Sequence, residues 1–122
     1  MFKQYINGQL VDGRGGALNV SDPATGLVFE TFSAATKEQA NEALEAAQAA
    51  FKVWSWTPLD ERVEWLRKYT EALLKEREYI VDLLSRESGK PYAEACYDFD
   101  WGISSLRYFA EEIRRVTGTT YS

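Results

Sequence analysis

Few side chains in this sequence could carry chemistry on their own. Cys96 is the sole thiol of the 122-residue chain and histidine is absent, which excludes an internal disulfide framework, the common Cys/His zinc sites and any His-based triad. A nucleophilic thiol needs a cation or a helix N-terminus to lower its pKa. The sequence places Cys96 mid-helix between Glu94 and Asp98 with no cationic neighbour, so it reads as a structural thiol. Gly13, Gly15 and Gly16 form a glycine cluster, yet the following Ala17-Leu18-Asn19-Val20 reads as strand rather than as a helix N-terminus that could hold a pyrophosphate. They are expected to be turn residues. Lys90, between Gly89 and Pro91, reads as a solvated lysine favourable to a helix C-terminus, and Glu71 with Lys75 and Glu64 with Lys68 as ordinary surface pairs. No catalytic residue emerges from this inventory.

Charge and hydropathy narrow the partners. Nineteen acidic against fourteen basic residues give a net charge of -5, with Lys and Arg scattered among Glu, a distribution that repels phosphate backbones and argues against nucleic acid. The apolar runs are far short of the roughly 20 residues that span a bilayer, and Met1-Phe2-Lys3-Gln4-Tyr5 lacks the apolar stretch of a signal peptide. No membrane association is expected, and a cytoplasmic location is the default. A composition 45% apolar and 27% charged belongs to a folded domain.

The elements that would position these residues divide into a strand-rich part, residues 1–33, and a helical part, residues 34–122. In the first, Asn7-Gly8 between Gln4-Tyr5-Ile6 and Gln9-Leu10-Val11 predicts a two-residue type I′ hairpin, because these residue types tolerate positive φ. Asp22-Pro23-Ala24-Thr25-Gly26 predicts the turn of a second, longer hairpin between Ala17-Leu18-Asn19-Val20 and Leu27-Val28-Phe29-Glu30-Thr31-Phe32. In the second part a helix starts at Thr36 with a Thr36/Gln39 capping box and carries Ala40, Ala43, Leu44, Ala47, Ala50, Phe51 and Trp54 on one face. A second helix takes Thr57 as N-cap with Pro58 in its first turn and runs to Gly89, either unbroken or interrupted at Glu76-Arg77-Glu78, where its apolar stripe lapses. A third runs from Pro91 to about Val116. The fold class is therefore α+β: two β-hairpins followed by three helices.

That third helix carries two apolar sectors. At ~100° per residue, Phe99, Ile103, Leu106, Ala110 and Ile113 lie on one side, and Tyr97, Trp101 and Tyr108 on the opposite side, separated by charged residues. Such a helix suits two partners, and two isolated hairpins are marginal without further cover. Either the aromatic sector awaits more polypeptide, or its Tyr and Trp sit half exposed as amphipathic surface residues.

The motifs Tyr5-Ile6-Asn7-Gly8, Asp22-Pro23-Ala24-Thr25-Gly26, Ala50-Phe51-Lys52-Val53-Trp54, Glu87-Ser88-Gly89-Lys90-Pro91 and Leu106-Arg107-Tyr108-Phe109-Ala110 occur in one order. In that order and spacing the chain resembles the N-terminal segment of the NAD(P)-dependent aldehyde dehydrogenase superfamily, from about Tyr5 to Gly118. The resemblance implies a partial piece of that fold. The remainder of the subunit would supply a Rossmann-like cofactor domain, a catalytic domain and an oligomerisation arm. It also implies oxidation of a small aldehyde to a carboxylic acid, with NAD or NADP as cofactor, in an enzyme that is a homo-oligomer when complete. The family's catalytic cysteine, glutamate and oxyanion-holding asparagine fall outside these residues, as does its nucleotide-binding turn. The chain alone is thus expected to be inert and to bind no cofactor.

Two sets of residues carry family roles by this resemblance. Glu87, with the backbone carbonyls of Val20 and Ser21, corresponds to a structural monovalent-cation site; the other reading leaves Glu87 facing solvent in the last turn of its helix. Trp101 and Tyr97 correspond to positions that line the aldehyde entrance tunnel, whereas the other reading has Trp101 only packing against the catalytic domain. The alternative for the whole chain is a free-standing helical protein-interaction module that presents Tyr97, Trp101 and Tyr108 to a partner.

Overall fold

The computed structural model describes residues 2–118 and 120, and the chain forms two compact units, Met1–Trp56 and Thr57–Ser122. In the first unit, β1 (Gln4–Ile6) pairs antiparallel with β2 (Gln9–Val11), Tyr5 opposite Leu10. Asn7 and Gly8 join them at φ 51° and 76°, the two positive angles of the predicted type I′ turn. β3 (Ala17–Ser21) pairs with β4 (Val28–Ser33). Gly26, at φ 71°, donates its N–H to the carbonyl of Asp22 at 2.7 Å and closes the Asp-Pro-Ala-Thr-Gly turn. The register slips between Val20, opposite Glu30, and Ser21, opposite Val28, so Phe29 is the extra residue of a bulge.

The capping box at the start of α1 (Lys37–Trp54) is present, and Gln39 extends it. Its Oε1 accepts from the N–H of Thr36 at 3.3 Å and from the N–H of Arg14 at 2.7 Å, while its Nε2 donates to the carbonyl of Asp12 at 3.0 Å. Gln39 is fully buried, and one amide thus satisfies backbone groups of the β2–β3 loop and of the helix start together. The Arg14 guanidinium grips Glu42 with two bonds of 2.9 Å. The glycine cluster has a firmer reason than turn formation alone. Gly15 donates to the carbonyl of Ala34 at 2.8 Å and Ala34 to that of Gly16 at 2.9 Å. A Cβ on Gly13 would stand 2.1 Å from the Ser33 carbonyl oxygen. Only glycine lets the two backbones approach so closely.

These contacts tie α1 to the hairpins, so the compact units divide after Trp56 rather than at the change from strand to helix near Ala34.

The second unit holds α2 (Leu59–Lys75), α3 (Arg77–Ser88), α4 (Tyr92–Glu112) and a one-turn 3-10 helix, Ile113–Arg115. Helix α2 starts one residue later than the sequence suggests. Pro58 keeps an extended ψ of 145° and is itself the N-cap, accepting the N–H of Arg62 at 3.1 Å, and Thr57 precedes it. The expected second helix is two helices, which makes four α-helices among the described residues. Glu76, at φ -97° and ψ 11°, breaks it where the charged triplet offers no apolar residue to the packing face, and the new turn lets Ile80, Val81 and Leu84 face the core. Gly89 ends α3 in the left-handed region at φ 71°, as predicted. Both α2 and α3 pack on α4, around Val81, Ala95, Phe99 and Ile103, with Leu73, Leu74, Ile80, Leu84 and Cys96 closing over them.

Replacing Gln39 by Leu strands two backbone donors and one acceptor in the first unit. The substitution should lower stability by about 2 to 4 kcal/mol. Urea unfolding followed by amide exchange at Arg14 and Thr36 would check this; an unchanged midpoint would show that the buried amide holds nothing together.

Candidate functional site

The candidate site lies on α4, whose two sectors separate as predicted. Ala95, Phe99, Ile103 and Ala110 are buried. Tyr97 and Trp101, one turn apart on the other side, are each 67% exposed, and Tyr108 is 58% exposed. Tyr108 meets Phe109 edge to face at 5.3 Å between ring centroids. An indole one turn from a phenol makes a bulky apolar wall that lacks a partner among the described residues of its own unit.

Ion pairs hold the helix that carries this wall. Arg77 of α3 reaches Asp100 with two bonds, Nε to Oδ1 at 3.1 Å and Nη2 to Oδ2 at 2.9 Å. Arg67 of α2 bonds Glu111, and Arg114 pairs with Asp60 at 2.9 Å. The bond from Arg77 lowers the Asp100 pKa, against a smaller opposing effect of burial, and the bond from Arg67 does the same for Glu111. Arg77 and Arg67 move upward for the reciprocal reason.

Two readings of single residues change. Lys90 is not simply solvated: its ammonium pairs with Asp98, and its carbonyl accepts from the Ser85 hydroxyl at 2.8 Å, so it locks the turn between α3 and α4. Cys96 does have a cationic neighbour, since it is among the groups that raise the pKa of Arg77, after Asp100. It remains partly buried against the core. Arg77 sits within the charged triplet 76–78, which in sequence resembles a solvated face; its spacing to α4 depends on the break at Glu76, which local pattern alone leaves open. Of the expected surface pairs, Lys68 lies instead over the Trp65 ring, 5.0 Å from its centroid.

Glu87 is exposed in the last turn of α3, in the second unit, while half-buried Val20 and exposed Ser21 of β3 stand opposite the bulge of β4 in the first. Among the described residues β3 pairs with β4 alone, so its outward carbonyls carry no ladder bond there. A carboxylate and such carbonyls are the donors a hard cation takes. Among the described residues no group of three or more Cys, Asp or Glu gathers as a metal site, and no helix is long and apolar enough to cross a membrane. The glycine loop does not suit a dinucleotide: it is pressed against Ser33 and Ala34 and leads into β3.

Comparison with known proteins gives these residues a context. The model described as "Aldehyde dehydrogenase family" matches residues 10–122. The chain is 37% identical over 117 residues to a D-glyceraldehyde dehydrogenase (NADP(+)) of Picrophilus torridus, covering 95% of this chain and 24% of that protein. It is 34% identical over 123 residues to a glutarate-semialdehyde dehydrogenase of Pseudomonas putida, covering 98% and 26%. Among solved structures, an NAD-dependent benzaldehyde dehydrogenase from Corynebacterium glutamicum superimposes with a TM-score of 0.91 at 28% identity, over 99% of this chain and 27% of that one. An NADP-dependent glyceraldehyde-3-phosphate dehydrogenase from Bacillus halodurans, complexed with NADP, gives 0.89 at 30% identity, over 100% and 26%. The chain spans about a quarter of the length of the curated relatives it matches.

The two carboxylates predict a pH dependence. Asp100 and Glu111 have folded pKa values below their ordinary 3.8 and 4.5, so the stability they contribute is fully present above those values and is lost as pH falls through the folded ones. The urea midpoint of the second unit should begin to fall as pH drops toward the ordinary 4.5 and 3.8 and go on falling below them, as the lowered folded values are passed. The fall should be smaller in the Asp100→Asn, Glu111→Gln double variant; equal falls would remove these pairs from the acid response.

Proposed function

The chain belongs to the aldehyde dehydrogenase family as a short N-terminal segment of it, and we propose that it forms part of a subunit that oxidises a small aldehyde to a carboxylic acid with NAD or NADP. The aromatic face of α4 carries this reading: Tyr97 and Trp101 stand exposed on the side of α4 away from its buried seam, in a chain whose match to the family covers residues 10–122. In the proposed role they line the aldehyde entrance, where bulky apolar walls exclude water and select substrates by size. Glu87 with the carbonyls of Val20 and Ser21 would hold a structural monovalent cation. The partners are the remainder of the subunit and the aldehyde, in a cytoplasmic homo-oligomer.

The chain by itself is proposed to be catalytically inert. Its one thiol packs against the core, and its glycine loop does not form a bed for a dinucleotide, so its residues bind and shape rather than react. Cofactor chemistry, the transfer of a hydride to the nicotinamide, belongs to the rest of the subunit in this reading. The exposed aromatic face also suits a free-standing interaction module, and the two readings part on whether Trp101 affects the choice of aldehyde.

Calorimetry of the isolated chain should show no NAD or NADP binding at micromolar strength, and micromolar affinity would place a nucleotide site within these residues. In the dehydrogenase subunit carrying this segment, Trp101→Ala should change kcat/KM unequally for a short aliphatic and a bulky aldehyde, by about tenfold, with the cofactor KM nearly constant. Equal losses for both aldehydes together with a lower Tm would assign Trp101 to packing.

A further inference from the structure

We propose that Arg77 is a positioning residue that sets the rotation of α4 and thereby the direction in which Tyr97 and Trp101 point. The observation is a double contact by one guanidinium. Arg77 forks onto the Asp100 carboxylate at 3.1 and 2.9 Å. Its Cζ also lies 5.8 Å from the Phe99 ring centroid.

Positions 96, 99 and 100 stand at i, i+3 and i+4 and form one ridge of α4. Tyr97 and Trp101 each follow a ridge residue by one position, about 100° further around the axis. A planar fork held at both nitrogens opposes rotation and sliding of the helix together, which a single ammonium contact does not. The apolar seam alone is less directive: beside it runs an open groove of about 350 Å³ lined by Leu73, Ile80, Leu84, Phe99, Ile103 and Leu106. Small rotations of α4 could be taken up there, and Gly102, which also borders the groove, adds no side chain to resist them.

The other α4 ion pairs are single contacts rather than forks. Lys90 meets Asp98 beside the turn, and Arg67 meets Glu111 near the far end of the helix. The turn from Tyr97 to Trp101 is held by Lys90 through one ammonium contact at Asp98 and by Arg77 through a two-bond fork at Asp100, and the fork is the contact that resists rotation.

The first arm of the test needs no assumption about the reaction. Trp54, Trp56 and Trp65 are replaced by Phe so that Trp101 reports alone, and its time-resolved anisotropy and near-ultraviolet circular dichroism are measured for Arg77→Lys, Asp100→Asn and Arg67→Lys. The isosteric Asp100→Asn keeps the test open should Arg77→Lys lose helical signal. The first two variants should lower the residual anisotropy of Trp101 by about a third, while Arg67→Lys leaves it unchanged. An unchanged signal in the first two, or an equal loss in all three, overturns the proposal.

The second arm rests on the tunnel reading above. In the dehydrogenase subunit, Arg77→Lys should shift the bulky-to-short aldehyde ratio of kcat/KM about fivefold in the direction of Trp101→Ala, and add no shift in a Trp101→Ala background. Shifts that multiply in the double variant would overturn the coupling. If Trp101→Ala moves no ratio, the tunnel reading fails while the spectroscopic arm still decides the role of Arg77.

Discussion

The seam along α4 is the constraint on which the second unit depends. Ala95, Phe99, Ile103 and Ala110 are taken out of water by α2 and α3, and burying side chains of this size is worth about 1.5 to 3 kcal/mol for each of the larger ones. Burial of that face confines α4 to a narrow range of rotations, within which the open groove beside it leaves the final setting to the ion pairs. Once Phe99 and Ile103 face inward, Tyr97 and Trp101 have no choice but to face outward, because ~100° separates neighbouring side chains. The exposed aromatic wall is therefore a consequence of how the seam packs. The ion pairs refine the same setting from the helix sides, Arg77 at its middle and Arg67 near its end.

The first unit is held by a different kind of contact. Apolar burial is thin there, with Leu10, Leu18, Leu27, Leu44 and Phe51 all exposed, so a buried amide takes the part that a core would otherwise take. Gln39 joins the β2–β3 loop to the start of α1, and the glycines let that loop lie against the end of β4 without a Cβ in the way. Two-stranded hairpins are marginal in isolation. In this unit each is stabilised by its turn and by contacts of this local kind, and its remaining apolar surface stays open. That is the physical condition expected of a segment that matches about a quarter of the length of its curated relatives, since large exposed apolar faces on a folded chain mark surfaces that bind something.

Much of this was legible in the sequence because it is local chemistry. Asn7-Gly8 and Gly89 determined where the backbone turns left-handed, Thr36 and Gln39 where α1 begins, and the 3.6-residue period of α4 which residues share a face. The ordered motifs, from Tyr5-Ile6-Asn7-Gly8 to Leu106-Arg107-Tyr108-Phe109-Ala110, were enough to indicate the family whose model matches residues 10–122. The tertiary structure decided what depends on separation in space rather than along the chain. It placed α1 with the hairpins, gave Gln39 partners 25 and 27 residues away, paired Lys90 with Asp98, and brought Arg77 against Asp100. The break at Glu76 shows why: local propensity favours helix on both sides of it, and only the gain from packing Val81 and Leu84 onto α4 chooses the bend, a term that no stretch of sequence contains by itself.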